Sequence, residues 1–307
     1  MLNKRPIFIV AFAYGGSNIL LNLLRSHPDV CSPRGETNEV FRGKSSDAVL
    51  VRGMKILRYL PCMILERRDV FQAGSWTPRR RFTPLSRMVV DSILFHDKLR
   101  ATDDAQNRWK YEGVEYTRRE IAASRLLCKN LNGISFLTPE FSKMYPDATF
   151  IALVRNGFAV CEGHVRRGQP LDAIARKYEL GCQLMLDHER TIPRYHIVRY
   201  EDVIASPRTM LETLYSLCDL QLSRVEKVRL ESKRVVEKDG SHRVVHGVDW
   251  KKLIWYPLDE FEKHFRADAN ENQIARLTAE QKAIIERHCQ RSLERFGYLA
   301  PVPSPIV

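Results

Sequence analysis

The sequence predicts an α/β fold whose central sheet is doubly wound, mostly parallel and flanked by helices. Short continuous apolar runs recur along the chain, each of them ends at a charge or a turn, and helical segments separate them. Such runs are typical of strands that are buried on both faces. Because ligands bind beyond the carboxyl ends of parallel strands, we look for chemistry in the loops that follow these runs.

Four apolar runs are the predicted strands. They are IFIVAF from Ile7, ATFIALV from Ala148, YHIVRY from Tyr195 and, as a fourth, RLLCKN after Ser124. Two helices have clear terminal signals.

Ser206 followed by Pro207 predicts a helix start. Thr278 followed by AEQ has the spacing of a capping box for a final helix through about Phe296, with Gly297 as its stop.

Length and composition predict one soluble domain over residues 1–307. Its hydrophobic content is 44%, and no apolar run is long enough to cross a membrane. The seven cysteines are scattered and never in C-x-x-C spacing, so we expect reduced thiols, no metal site and a cytoplasmic protein. An irregular helical insertion over about residues 45–120 either covers a ligand site or forms an ordinary layer of the core.

The formal net charge of +12 indicates anionic partners. The basic residues are dispersed, and no nucleic-acid motif accompanies them. The candidates are a nucleic acid, an anionic membrane and a phosphorylated or sulfated small molecule, but we expect most of these charges to form a solvated basic surface and expect no nucleic-acid partner.

The first strand runs into a glycine turn and then into an apolar helix, through the sequence AYGGSN from Ala13. Unpaired N–H groups at a helix start, approached through glycines, form an anion cradle. The turn is P-loop-like but lacks the G-K-[ST] of nucleotide triphosphatases. Alternatively, the glycines serve only a tight strand-to-helix corner.

A second anion site is predicted at Arg155, which follows the strand from Ala148 directly. An arginine there grips a phosphate bidentately. Its alternative role is a surface salt bridge. Two such sites along one sheet edge suit a nucleotide with phosphates at both its 3′ and 5′ ends.

The order of these blocks resembles that of the sulfotransferase family, which uses 3′-phosphoadenosine 5′-phosphosulfate. The blocks are PIFIVAFAYGGSNILLNLLRSHPDV from Pro6, YPDATFIALVRNG from Tyr145, VRYEDVIASP from Val198 and LERFGYL from Leu293. The resemblance implies a P-loop-like sheet, a metal-free reaction, and in-line transfer of the sulfuryl group to a hydroxyl, less readily an amine. The acceptor would be a small molecule or a glycan- or lipid-like hydroxyl compound.

The resemblance also implies the donor contacts. Gly15, Gly16, Ser17 and Asn18 would hold the 5′-phosphosulfate, and Arg155 would hold the 3′-phosphate.

By the same resemblance, Glu36 would deprotonate the acceptor and Lys129 would neutralise the bridging oxygen of the leaving group. The alternatives are a solvated or helix-capping carboxylate and an ordinary lysine at a strand end.

Three positions depart from the family pattern. Tyr14 occupies the place of a loop Lys or Arg, and Gly163 that of a serine on the 3′-phosphate. The C-terminal 3′-phosphate loop has only a weak candidate in Ser241 and Arg243. Lys129 is the predicted compensating cation, with Arg34 as the second candidate. A non-catalytic nucleotide-binding protein and a small-molecule kinase remain as alternative functions.

Overall fold

The computed structural model describes residues 1–33, 36–37, 48–50, 82, 84–100, 116–236, 242–245, 253–265 and 269–299. Its strands are β1 (Ile7–Ala11), β2 (Val30–Cys31), β3 (Arg125–Leu131), β4 (Thr149–Val154), β5 (Tyr195–Arg199), β6 (Lys227–Glu231), β7 (Lys233–Val236), β8 (His242–Val245) and β9 (Leu253–Pro257). Its α-helices are α1 (Ser17–Arg25), α2 (Pro84–Leu99), α3 (Arg118–Ala123), α4 (Thr138–Met144), α5 (Gly157–Val165), α6 (Leu171–Thr191), α7 (Tyr200–Ala205), α8 (Pro207–Leu217), α9 (Ala269–Ile274) and α10 (Ala279–Arg295).

The central sheet has five strands in the order β2-β3-β1-β4-β5, and its described strand pairs are all parallel. This confirms the predicted fold class. Strand β1 lies between β3 and β4, with Ile9 in register with Lys129 on one side and Ile151 on the other. The loop after β1 is therefore flanked by the carboxyl ends of β3 and β4, where ligands bind in open parallel sheets.

Alternate residues of β1 face two hydrophobic clusters. Ile7 and Ile9 pack on one face of the sheet with apolar residues of α1 and α8. Phe8 and Val10 pack on the other face with residues of α2, α4, α6 and α10. Burial on both faces explains why the strand is apolar throughout rather than alternating.

The helix α2 falls within the predicted insertion. Its residues Val90, Ile93 and Leu94 are buried in the same cluster as Phe8, so this part of the insertion is a layer of the core. The rest of residues 45–120 lies mostly outside the described residues. The single-domain interpretation stays a prediction.

The helix signals are mostly confirmed. Thr278 caps α10 with both hydrogen bonds of a capping box, and Gly297 follows the helix with a φ of 73°. Helix α8 begins at Pro207 as predicted, but the side chain of Ser206 makes no capping hydrogen bond. The six cysteines among the described residues are buried and form no disulfide.

Candidate functional site

The glycine turn joins β1 to α1 in a conformation that needs glycine. Gly16 has a φ of 87°, in the left-handed region, and a Cβ there would overlap the ring of Tyr200. The N–H of Gly15 donates to the carbonyl of Phe12 at 3.1 Å and closes the turn. The backbone is thus held where only a residue without a side chain fits.

The start of α1 leaves its first N–H groups directed toward the turn. Gly16 offers no side-chain cap, and the first turn of the helix has no acidic residue. The orphan N–H groups and the positive end of the helix dipole favour an anion at this point. Ser17 and Asn18 are the first two residues of α1, so their backbone N–H groups belong to this cradle.

On the β3 side, the structure brings three predicted site residues together. The ammonium group of Lys129 donates to the Oδ1 atom of Asn18 at 2.7 Å and lies 3.1 Å from the Oε1 atom of Glu36. Lys129 therefore links the start of α1 beside the glycine turn to the predicted base. The catalytic roles of Glu36 and Lys129 stay predictions beside their structural alternatives.

Thr37 holds the Glu36 segment against β3. Its hydroxyl contacts the carbonyl oxygen of Lys129 at 3.2 Å and the Oδ1 atom of Asn130 at 2.5 Å. Thr37 and Asn130 are buried, so the bonds form away from bulk water. We conclude that Thr37 sets the position of the neighbouring carboxylate, a role that no sequence motif indicated.

On the β4 side, Arg155 is 6% exposed and already bonded within the protein. It donates to the carbonyl of Tyr14 at 3.0 Å, to the Oδ1 atom of Asn270 at 2.8 Å, and to Gln273. Its guanidinium carbon lies 4.3 Å from the centroid of the Tyr200 ring. Arg155 is not a surface salt-bridge residue, since oxygen acceptors surround its guanidinium.

Glu201 connects three elements behind Arg155. It accepts hydrogen bonds from the N–H of Asn156 at 3.0 Å, from the side chain of Asn270, and from the hydroxyl of Tyr298 at 2.6 Å. Burial and the Glu201 carboxylate raise the pKa of Tyr298 well above its ordinary value. The sequence blocks VRYEDVIASP and LERFGYL thus meet at Glu201 and Tyr298, close to Arg155.

Two of the positions that depart from the family pattern, Tyr14 and Gly163, lie in mutual contact. A Cβ at Gly163 would lie 3.1 Å from the Cβ of Tyr14, so a serine there would crowd the tyrosine. The ring of Tyr14 meets the ring of His164 edge to face, with centroids 4.7 Å apart. The guanidinium carbon of Arg167 lies 3.9 Å from the centroid of the Tyr14 ring.

Comparison with known proteins shows the family and the fold of the chain. Residues 6–224 match the sequence profile of the Sulfotransferase family. The chain belongs to the sulfotransferase family. No curated protein sequence matches it significantly.

Among solved structures, it is similar to the sulfotransferase domain from the curacin biosynthetic pathway, with 14% identity, a TM-score of 0.51, and coverage of 97% of this chain and 99% of that chain. The sulfotransferase domain from the Synechococcus PCC 7002 olefin synthase gives 18% identity, a TM-score of 0.48, and coverage of 97% of both chains. The curacin-pathway likeness supports the shared fold.

Two predicted site residues of this sulfotransferase are not placed. Ser241 lies outside the described residues, and Arg243 is described only as backbone within β8. The C-terminal segment that does reach Arg155 is α9, through Asn270 and Gln273. Its sequence carries no recognisable signal for that contact.

Within the part of the chain that the structure describes, no helix is long and apolar enough to span a membrane. Nor do those residues include a cluster of three or more His, Cys, Asp or Glu side chains suited to a metal ion.

Proposed function

We propose that this sulfotransferase-family chain moves a sulfuryl group from 3′-phosphoadenosine 5′-phosphosulfate to a hydroxyl, less readily to an amine. One observation carries the proposal. The glycine turn lies between the Lys129–Glu36 pair on β3 and Arg155 after β4, along one edge of the sheet. The 3′-phosphate of the donor and the acceptor would then lie on opposite sides of the turn, with the 5′-phosphosulfate on the turn between them.

Donor binding would use two anion contacts. The backbone N–H groups of Gly15, Gly16, Ser17 and Asn18 suit the 5′-phosphosulfate. Arg155 suits the 3′-phosphate, because a guanidinium binds phosphate oxygens in pairs. On binding, phosphate oxygens would replace the amide oxygens of Asn270 and Gln273 as acceptors of the Arg155 hydrogen bonds.

The chemistry would be an in-line displacement with Glu36 as the general base. Glu36 takes the acceptor's proton as the acceptor oxygen bonds to sulfur. The sulfur–oxygen bond to the 5′-phosphate breaks, and the electron pair stays on the phosphate. Lys129 and the turn amides stabilise this charge, while the fixed geometry supplies alignment.

A non-catalytic nucleotide-binding protein is the second candidate, and Tyr14 favours it. Tyr14 brings no charge to the turn, whereas the leaving phosphate gains charge in the transition state. Such a protein would bind the same nucleotide without turnover.

Thermal unfolding with adenosine 3′,5′-bisphosphate, adenosine 5′-monophosphate and ATP–magnesium tests the donor class. A ligand that binds only the folded state raises the melting temperature by mass action. We expect the bisphosphate to give the largest shift, and ³⁵S-labelled donor to transfer its label to an acceptor from a panel of hydroxyl compounds. Stabilisation by ATP–magnesium alone would indicate a kinase, and binding without transfer to any acceptor the second candidate.

A further inference from the structure

The glycine turn has no cation of its own. Residues 12–18 have the sequence FAYGGSN, and the two predicted cations beside them have partners. Lys129 is paired with Glu36, and Arg155 is buried among oxygen acceptors. Charge neutralisation on the exposed side of the turn therefore needs another basic group.

Arg167 lies on that exposed side. It follows the C-terminus of α5, and its Nη1 atom donates to the carbonyl of Gly163 at 2.7 Å. Its guanidinium also stacks on the ring of Tyr14, a residue of the turn that is 39% exposed. The carbonyl and the ring together orient a flexible side chain, which lowers the entropy cost of binding an anion there.

The neighbours of Tyr14 allow this stacking. Gly163 has no side chain, so the ring of Tyr14 packs against its backbone without a clash. Burial lowers the pKa of His164, so its ring at the edge of Tyr14 is neutral at pH 7 and adds no charge beside Arg167. Tyr14, Gly163 and Arg167 thus form one arrangement.

Among the residues that the structure describes, no carboxylate lies within ion-pair distance of Arg167. The adjacent Arg166, in contrast, pairs with Glu162 at 3.2 Å. An exposed, oriented and uncompensated guanidinium beside an anion cradle is suited to bind an anion.

We propose that Arg167 binds the phosphosulfate group of the donor on the exposed side of the glycine turn, and that Tyr14 is the positioning residue that holds Arg167 there. The proposal rests on the proposed function. Tyr14 stands where the family has a loop Lys or Arg. Its ring would support the guanidinium of Arg167, which follows α5, and Arg167 would supply the positive charge.

The test measures dissociation constants for two probes, adenosine 3′,5′-bisphosphate and inorganic pyrophosphate, by calorimetry. Loss of a charge-assisted contact predicts that Arg167→Met weakens both probes about 10- to 100-fold. Arg176→Met is the matched control, because it removes the same charge from an exposed position on α6. We expect this control to change neither constant more than about twofold.

Two variants of Tyr14 separate the contribution of its ring, which supports Arg167, from the contribution of its hydroxyl. Tyr14→Phe keeps the ring and should bind both probes within about threefold of the unmodified protein, whereas Tyr14→Leu should lose as much as Arg167→Met. Equal losses in Tyr14→Phe and Tyr14→Leu would overturn the platform role. Melting temperatures without ligand confirm that each variant is folded.

The two proposals fail in different ways. If the bisphosphate binds and Arg167→Met changes nothing, the role of Arg167 is wrong and the proposed donor class stands. If pyrophosphate binds in an Arg167-dependent way and the bisphosphate does not bind, the anion site stands and the nucleotide assignment is wrong. If neither probe binds, both proposals are wrong.

Discussion

The ammonium group of Lys129 lies 3.1 Å from the carboxylate of Glu36 and 2.7 Å from the amide oxygen of Asn18. Lys129 is therefore the bridge between the start of α1 and the candidate base. The two groups assigned to proton removal and charge stabilisation are direct neighbours, so each one affects the position of the other.

Glu36→Gln should lower sulfuryl transfer about 10²- to 10⁴-fold while donor affinity stays unchanged, because only proton removal is lost. Lys129→Ala should also abolish most turnover, and it should release Glu36. Steady-state kinetics with a ³⁵S-labelled donor measures both effects. Lys143→Ala is the control, since Lys143 is exposed and pairs with Glu140 away from the turn. Full activity of Glu36→Gln would leave Glu36 a structural role only.

Arg155→Ala should weaken adenosine 3′,5′-bisphosphate by about 2–3 kcal/mol, because one charge-assisted bidentate contact is lost. The 5′-monophosphate has no group at that position, so its affinity should change little. Gln273→Ala is the control: it frees Arg155 of one acceptor and should leave bisphosphate binding equal or tighter. Calorimetric titration below the melting temperature measures the dissociation constants of both nucleotides for each variant. Equal losses for both nucleotides would contradict the assignment of the 3′-phosphate to Arg155.

Gly16→Ala should destabilise the fold by about 2–5 kcal/mol, since it combines a left-handed backbone with overlap on the Tyr200 ring. Gly168→Ala is a matched control. Gly168 has a φ of 77° with open space around it, so only the backbone cost of about 1–2 kcal/mol applies. Urea unfolding measures both free energies. The prediction fails if the two substitutions cost the same.

Stability should fall in mild acid because of His188. Burial lowers the pKa of His188 from 6.5 to about 4, so the folded state binds the proton less readily than the unfolded chain does. The free energy of unfolding is therefore highest above pH 6.5, where His188 is neutral in both states. It falls by an amount on the order of 3 kcal/mol as the pH drops from 6.5 toward 4. Urea unfolding at several pH values measures how the free energy of unfolding changes with pH. This free energy should fall less steeply toward acid in His188→Gln than in the unmodified protein. An identical slope would exclude His188 as the cause.

The sequence alone determined the local parts of this protein. The apolar runs from Ile7, Ala148 and Tyr195 are strands because continuous burial on both faces of a parallel sheet requires them. The capping box at Thr278 is confirmed because its hydrogen bonds involve residues three apart. The order of the blocks also indicated the family.

The sheet topology explains why the predicted site residues converge. Lys129 lies on β3 and Arg155 directly follows β4, and these two strands flank β1, so the strand pairing places both residues beside the turn. Parallel strands bring their carboxyl ends to one edge of the sheet, so the two residues lie at the same edge, and their roles in one site stay a prediction.

Only the tertiary structure decided which side chains complete the site. Asn270 bonds to Arg155 across 115 positions of sequence, and Arg167 reaches Tyr14 from the far end of α5. Neither contact can be predicted from the hydrophobic periodicity of the nearby sequence or from its turn residues. Such partners are set by how helices pack on the sheet, because side chains distant in sequence meet only once the strand order and the helix positions are established.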